Sequence, residues 1–107
     1  MYNINILDPN SECFDIVASK IDSWSCGLWW PDFEEAGIEQ CYILFDENDI
    51  PIGFQTLNMD GLTIAIEIHP DYRGMNLSYL LIEESGSIKP ERDENPAFWE
   101  KVQERFD

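Results

Sequence analysis

A chain of 107 residues has room for one small domain, and its 44% hydrophobic and 13% aromatic content is enough to bury a core, which excludes an acidic disordered tail. Twenty-two Asp and Glu against six Lys and Arg leave a net charge of −16. Nucleic-acid phosphates and anionic membranes are therefore repelled, and a basic protein surface is the partner this charge favours.

Cys13, Cys26 and Cys41 form no close pair, and His69 stands alone, so no zinc or other metal site is expected. No leader-like or membrane-length apolar run is present, and the thiols fit a reducing cytoplasm. Residues 1–107 read as one domain.

In chain order, Tyr2–Leu7 alternates as a short strand, with Ile4 and Ile6 on one face. Phe14, Val17, Ala18 and Ile21 then fall at helical spacing, with Trp24 extending the stripe. Asp32–Ala36, after Pro31 and before Gly37, predicts one helical turn. Cys41–Phe45 and Ile50–Leu57 are β-rich runs joined through Glu47-Asn48-Asp49, and Met59-Asp60-Gly61 turns into the alternating run Leu62–Ile68. His69–Gly74 is a loop. Leu77, Leu80 and Leu81 mark a helix that ends near Ser85-Gly86. Asn95 caps a last helix with Pro96 in its first turn and Phe98, Trp99, Val102 and Phe106 on its apolar face. The fold class is α/β of the α+β kind, an antiparallel sheet of three to four strands with flanking helices. The expected core contains Ile43, Phe45, Phe54, Leu57, Ile64, Ile66, Ile68, Leu77, Leu80, Leu81, Phe98, Trp99 and Val102.

One sequence of elements carries more. A strand leads into His69-Pro70-Asp71-Tyr72-Arg73-Gly74-Met75-Asn76-Leu77-Ser78 and then into a Leu-rich helix. Upstream lies Asp49-Ile50-Pro51-Ile52-Gly53-Phe54, and downstream Asn95-Pro96-Ala97-Phe98-Trp99-Glu100-Lys101-Val102. Together they resemble the acetyl-CoA motif of the GNAT N-acetyltransferase superfamily, its preceding strand and its closing helix, over Cys41–Phe106. The resemblance implies a short, truncated GNAT-like fold. It implies that Ile68, Arg73, Gly74, Asn76 and Ser78 hold acetyl-CoA. A tight turn opening a helix aims backbone N–H groups, with the helix dipole behind them, at a pyrophosphate.

The chain departs from that pattern at four places. Asn76 stands where the family has Gly, and Ser78 where it has Gly or Ala; Asn tolerates a positive φ better than most residues. Trp99 occupies the place of a tyrosine general acid, a role its indole N–H cannot fill. Ser87–Asp93 is too polar and proline-interrupted for the strand expected between the two helices. Glu67 is the candidate general base, with Asp60 as a second carboxylate. With two glycine-type positions replaced and Arg73 as the cation near the loop, the sequence predicts weak or absent acetyl-CoA binding. Hence no cofactor is expected, or acetyl-CoA if the chain is an enzyme.

The acids cluster in connections: Asp32, Glu34, Glu35 and Glu39; Asp46, Glu47 and Asp49; Glu83 and Glu84; Glu91, Asp93 and Glu94. None has the spacing of a calcium loop. Exposed carboxylates at such density resemble a nucleic-acid backbone and suit Lys and Arg that normally hold phosphate. The expectation from sequence is a GNAT-like acidic protein with little or no catalysis that binds and inhibits a basic, nucleic-acid-handling protein. A phage or mobile element could use such a nucleic-acid mimic against a host defence. The alternatives are a minimal acetyl-CoA-dependent N-acetyltransferase acting on an amine or lysine, and an acidic subunit of a larger complex.

Overall fold

The computed structural model describes residues 2–7, 12, 14–24, 37–92 and 95–106. Its elements are β1 (Asn3–Ile6), α1 (Phe14–Asp22), β2 (Gln40–Phe45), β3 (Pro51–Leu57), β4 (Thr63–Ile68), a 3-10 turn at Pro70–Tyr72, α2 (Ser78–Ser85) and α3 (Pro96–Phe106). The four strands form one antiparallel sheet in the order β1-β2-β3-β4, the α+β arrangement that the sequence predicts. The helical turn expected at Asp32–Ala36 lies outside the described residues.

Two side chains fix the hairpin turns. Asp46 Oδ1 accepts from the N–H groups of Asn48 at 2.8 Å and Ile50 at 3.0 Å, closing the β2–β3 turn, where Asp49 takes φ 60°. Asn58 Oδ1 does the same for Asp60 and Leu62, both at 2.9 Å, and so closes the β3–β4 turn.

The sheet is covered on both faces. Ala18 and Ile21 of α1 pack on Cys41, Ile43 and Phe54, with Ala65 beside them. On the opposite face Leu77, the N-cap of α2, and Leu81 within it pack on Leu44 and Ile52, joined by Ile66, Ile68 and Tyr72. Trp99 and Val102 of α3 bury Ile82 from the far side of α2. Because α2 is held between the sheet and α3, its buried stripe runs through Leu77, Leu81 and Ile82. Leu80 falls off that stripe and is 38% exposed, so its expected place in the core is corrected in favour of Ile82. Phe45, Ile64, Ile66, Ile68 and Phe98 are half-buried. Gly53 belongs where β3 meets β4: a Cβ there would come within 2.6 Å of Ile68 Cδ1 and 3.3 Å of the Glu67 carbonyl oxygen.

Candidate functional site

Among the described residues, the stretch between α2 and α3 contributes no strand. It touches β4 at one parallel bridge, Thr63 to Pro90, where Thr63 N–H donates to Lys89 O at 2.9 Å and Glu91 N–H donates to Thr63 O at 2.8 Å. A buried polar knot locks that single point. Gln55 Nε2 donates to Thr63 Oγ1 at 2.8 Å and to Ser87 O at 3.3 Å, Thr63 Oγ1 and Ser87 Oγ lie 2.8 Å apart, and Ser85 Oγ donates to Gln55 Oε1 at 2.7 Å. Past this knot the two segments separate, and the remainder of β4 is an open sheet edge.

A register shift beside Thr56 and Leu57 sets Ile64 as the extra residue of a β-bulge. Beyond it, Ala65 N–H bonds Thr56 Oγ1 at 3.1 Å and His69 N–H bonds Ile52 O at 2.7 Å, both toward β3. Alternation therefore turns the backbone groups of Ile66 and Ile68 to the open edge. Arg73 Nε donates to Ile68 O at 3.0 Å, fastening the start of the next turn to the end of this edge.

In that turn Gly74 takes φ 86° and Asn76 takes φ 59°, the left-handed region that favours glycine. Arg73 N–H donates to Pro70 O at 3.5 Å and Tyr79 N–H to Asn76 O at 3.2 Å. The N–H groups from Gly74 to Ser78 donate to no other group among the described residues. They open α2, whose dipole adds to their pull on an anion. The Leu77 side chain is buried and anchors the turn from below.

Edge, turn and α3 enclose a cleft of about 1080 Å³. Among its walls are Glu67, Ile68, Arg73, Gly74, Asn76 and Ser78, so the whole expected ligand set and the candidate base face one space. Glu67 shares its sheet face with Ala65, on the α1 side, and so meets the cleft from the face opposite α2. Sequence reasoning missed Arg92 and Lys101, which line the same cleft. Arg73 is the cation of the turn itself, while Arg92 follows the segment bridged to Thr63 and Lys101 lies on α3. Their positions in the polar stretch and on the last helix gave no signal of this; the Thr63–Pro90 bridge sets Arg92 there, and α3 carries Lys101 there.

Other candidates have structural roles. Trp99 is 8% exposed and packs edge-on against Phe98 at 5.1 Å. His69 Nδ1 accepts from Asp71 N–H at 3.0 Å, and its ring lies between Trp24 and Tyr72 at 5.5 and 5.8 Å. Cys41 is buried and its thiol pKa is pushed far up by that burial, so it offers no thiolate.

Asp46, expected to be exposed to a partner, is only 7% exposed, and this expectation is corrected. Its carboxylate closes the β2–β3 turn and accepts from Tyr72 Oη at 3.3 Å. The Ile50 N–H, ahead of the Asn48 N–H and Tyr72 hydroxyl, holds its pKa below the usual range against the opposing effect of burial. Burial, and then the Asp46 charge, raises that of Tyr72. Glu39, Glu47, Asp49 and Glu91 are exposed. Glu91 lines the cleft and accepts from Asn58 Nδ2 at 2.8 Å. Asp32, Glu34, Glu35, Asp93 and Glu94 lie outside the described residues. Among the described residues no group of three or more His, Cys, Asp or Glu could hold a metal, and no helix is long and apolar enough to cross a membrane.

No protein-family model matches the chain, and no curated protein matches its sequence. Solved structures do match its fold. A GNAT-family acetyltransferase from Streptococcus pneumoniae TIGR4 superposes with a TM-score of 0.61 at 16% identity, over 96% of this chain and 86% of that one. The ribosomal-protein-S18-alanine N-acetyltransferase of Escherichia coli gives 0.58 at 17%, over 98% and 61%. The glucosamine N-acetyltransferase region of a fungal multi-domain β-N-acetylglucosaminidase gives 0.53 at 17%, over 79% and 12%. The chain thus spans less than two thirds of the latter two proteins. Its fold resembles that of these GNAT-type acetyltransferases.

Proposed function

We propose that this chain binds an acyl-coenzyme A in the cleft beside β4 and passes the acyl group to an amine. One observation carries the proposal: the open edge at Ile66 and Ile68 runs directly into a turn whose Gly74 and Asn76 both take positive φ, and edge and turn line one cleft. Residues Gly74–Ser78 would meet the pyrophosphate through backbone N–H groups, and Arg73 would add charge beside them. The outward backbone of Ile66 and Ile68 would take an extended amide-bearing arm as a sheet edge takes a strand. Bound there, the coenzyme supplies an activated thioester. Glu67, on the sheet face opposite α2, would accept the proton of the attacking ammonium directly or through water.

Two observations support coenzyme binding: Asn76 takes a left-handed φ of 59°, and Arg92 and Lys101 line the cleft together with Arg73. Neither the fold nor its neighbours supports an inhibitor of a nucleic-acid-binding protein. Titration calorimetry with acetyl-CoA at low salt tests the proposal. Saturable binding with a dissociation constant of about 10 μM or tighter, roughly −7 kcal/mol, is expected. Absence of heat up to millimolar ligand would overturn it.

A further inference from the structure

The chain has six Lys and Arg for twenty-two Asp and Glu. Three of those six, Arg73, Arg92 and Lys101, line the one cleft beside β4, against two carboxylates, Glu67 and Glu91. The Glu91 carboxylate is drawn to the β3–β4 turn by Asn58 Nδ2. The cleft is therefore locally cationic in a strongly anionic protein.

Arg73 belongs to the turn, but Arg92 and Lys101 do not. Arg92 follows directly on the Pro90–Glu91 segment that bridges Thr63. Lys101 lies on α3 at four and three residues from Ala97 and Phe98, which line the cleft too, so all three share one helical face. Both cations are exposed, and neither forms an ion pair among the described residues despite the excess of carboxylates. A cation with no ion-pair partner among the described residues can meet an anion from solution, and the surrounding negative field makes that compensation more necessary.

We propose that Arg92 and Lys101 form a second, side-chain phosphate-binding wall of the cleft, separate from the backbone N–H groups of the Gly74–Ser78 turn. The wall takes the phosphoanhydride or phosphomonoester groups of a nucleotide-type ligand. Its ligand is named by the acyl-coenzyme A proposal above, but its chemistry does not depend on it. Its presence explains how a chain of net charge −16 holds a polyanion.

The test titrates acetyl-CoA and, separately, inorganic pyrophosphate into wild type, Arg92→Ala/Lys101→Ala and Lys20→Ala. Lys20, on α1, removes the same unit charge as Lys101 but does not line the cleft. The double variant should bind both ligands about tenfold more weakly, as loss of two exposed charge contacts would give. Its binding should also depend less on salt between about 50 and 300 mM. Lys20→Ala should stay within about twofold of wild type. Equal acetyl-CoA affinity in wild type and double variant overturns the wall and leaves the coenzyme proposal standing. Pyrophosphate binding that needs Arg92 and Lys101, without acetyl-CoA binding, upholds the wall and overturns the coenzyme proposal. A wild type that takes neither ligand overturns both.

Discussion

Gln55 donates its side-chain amide to the Thr63 hydroxyl at 2.8 Å, and both residues are shut off from water, at 0% and 2% exposure. The bond lies at the fork of the cleft. It fixes the point where β4 and the segment toward α3 touch, and so the point from which they diverge. Neighbouring strands in a sheet normally share a ladder; here a knot of four polar side chains, Gln55, Thr63, Ser85 and Ser87, takes its place. Gln55→Leu removes the donor to Thr63 and Ser87 and the shorter of the two acceptors of the Ser85 hydroxyl, and should cost about 1–3 kcal/mol in urea unfolding. Amide exchange at Thr63 and Glu91 should speed up with it. Unchanged stability and exchange would mean that the knot does not hold the fork.

Asn76 offers a prediction that runs against the usual cost of mutation. Its φ of 59° suits glycine better than any residue with a side chain. Asn76→Gly should hold or raise stability and leave acetyl-CoA binding equal or tighter. Asn76→Ala should lose about 1 kcal/mol and weaken binding. The same ranking of both variants in thermal melts and in calorimetry checks the assignment of the turn.

Asp46 gives a pH dependence of defined sign. Its folded-state pKa is lowered, chiefly by the Ile50 N–H, so it contributes stability above the unfolded carboxylate value of about 3.9. That contribution is lost as pH falls through the folded value. Wild type should therefore exceed Asp46→Ala in urea midpoint at pH 7, and the gap should narrow below about pH 4. A gap independent of pH would show that the carboxylate's charge is not what closes the turn.

Much of this was legible in the sequence because local patterns and tertiary contacts agree. Alternation gave β4, and the pair Pro96 and Asn95 placed the start of α3. Asn76 announced its own positive φ. Leu80 misled because a helix packed between two layers buries a different stripe from one lying on a single sheet. Asp46 misled because a carboxylate in a turn looks exposed until its N–H partners fold back on it. Arg92 and Lys101 were silent because long-range packing alone places them in the cleft.

Glu67 separates binding from chemistry. Glu67→Gln preserves shape and removes the proton acceptor. Acetyl transfer to an acceptor amine should fall by about 10²–10⁴. Acetyl-CoA affinity should change by no more than about twofold, since the turn and edge supply the contacts. Transfer that survives the substitution would assign the base elsewhere.

The most direct measurement follows the backbone amides themselves as acetyl-CoA is added to isotopically labelled protein. Saturable shifts are expected at Gly74, Met75, Asn76, Leu77 and Ser78, together with Ile66 and Ile68 on the β4 edge, with little change in α1 or the β2–β3 turn. Absence of saturable shifts, or shifts centred away from the β4 edge and the turn into α2, would contradict the proposal.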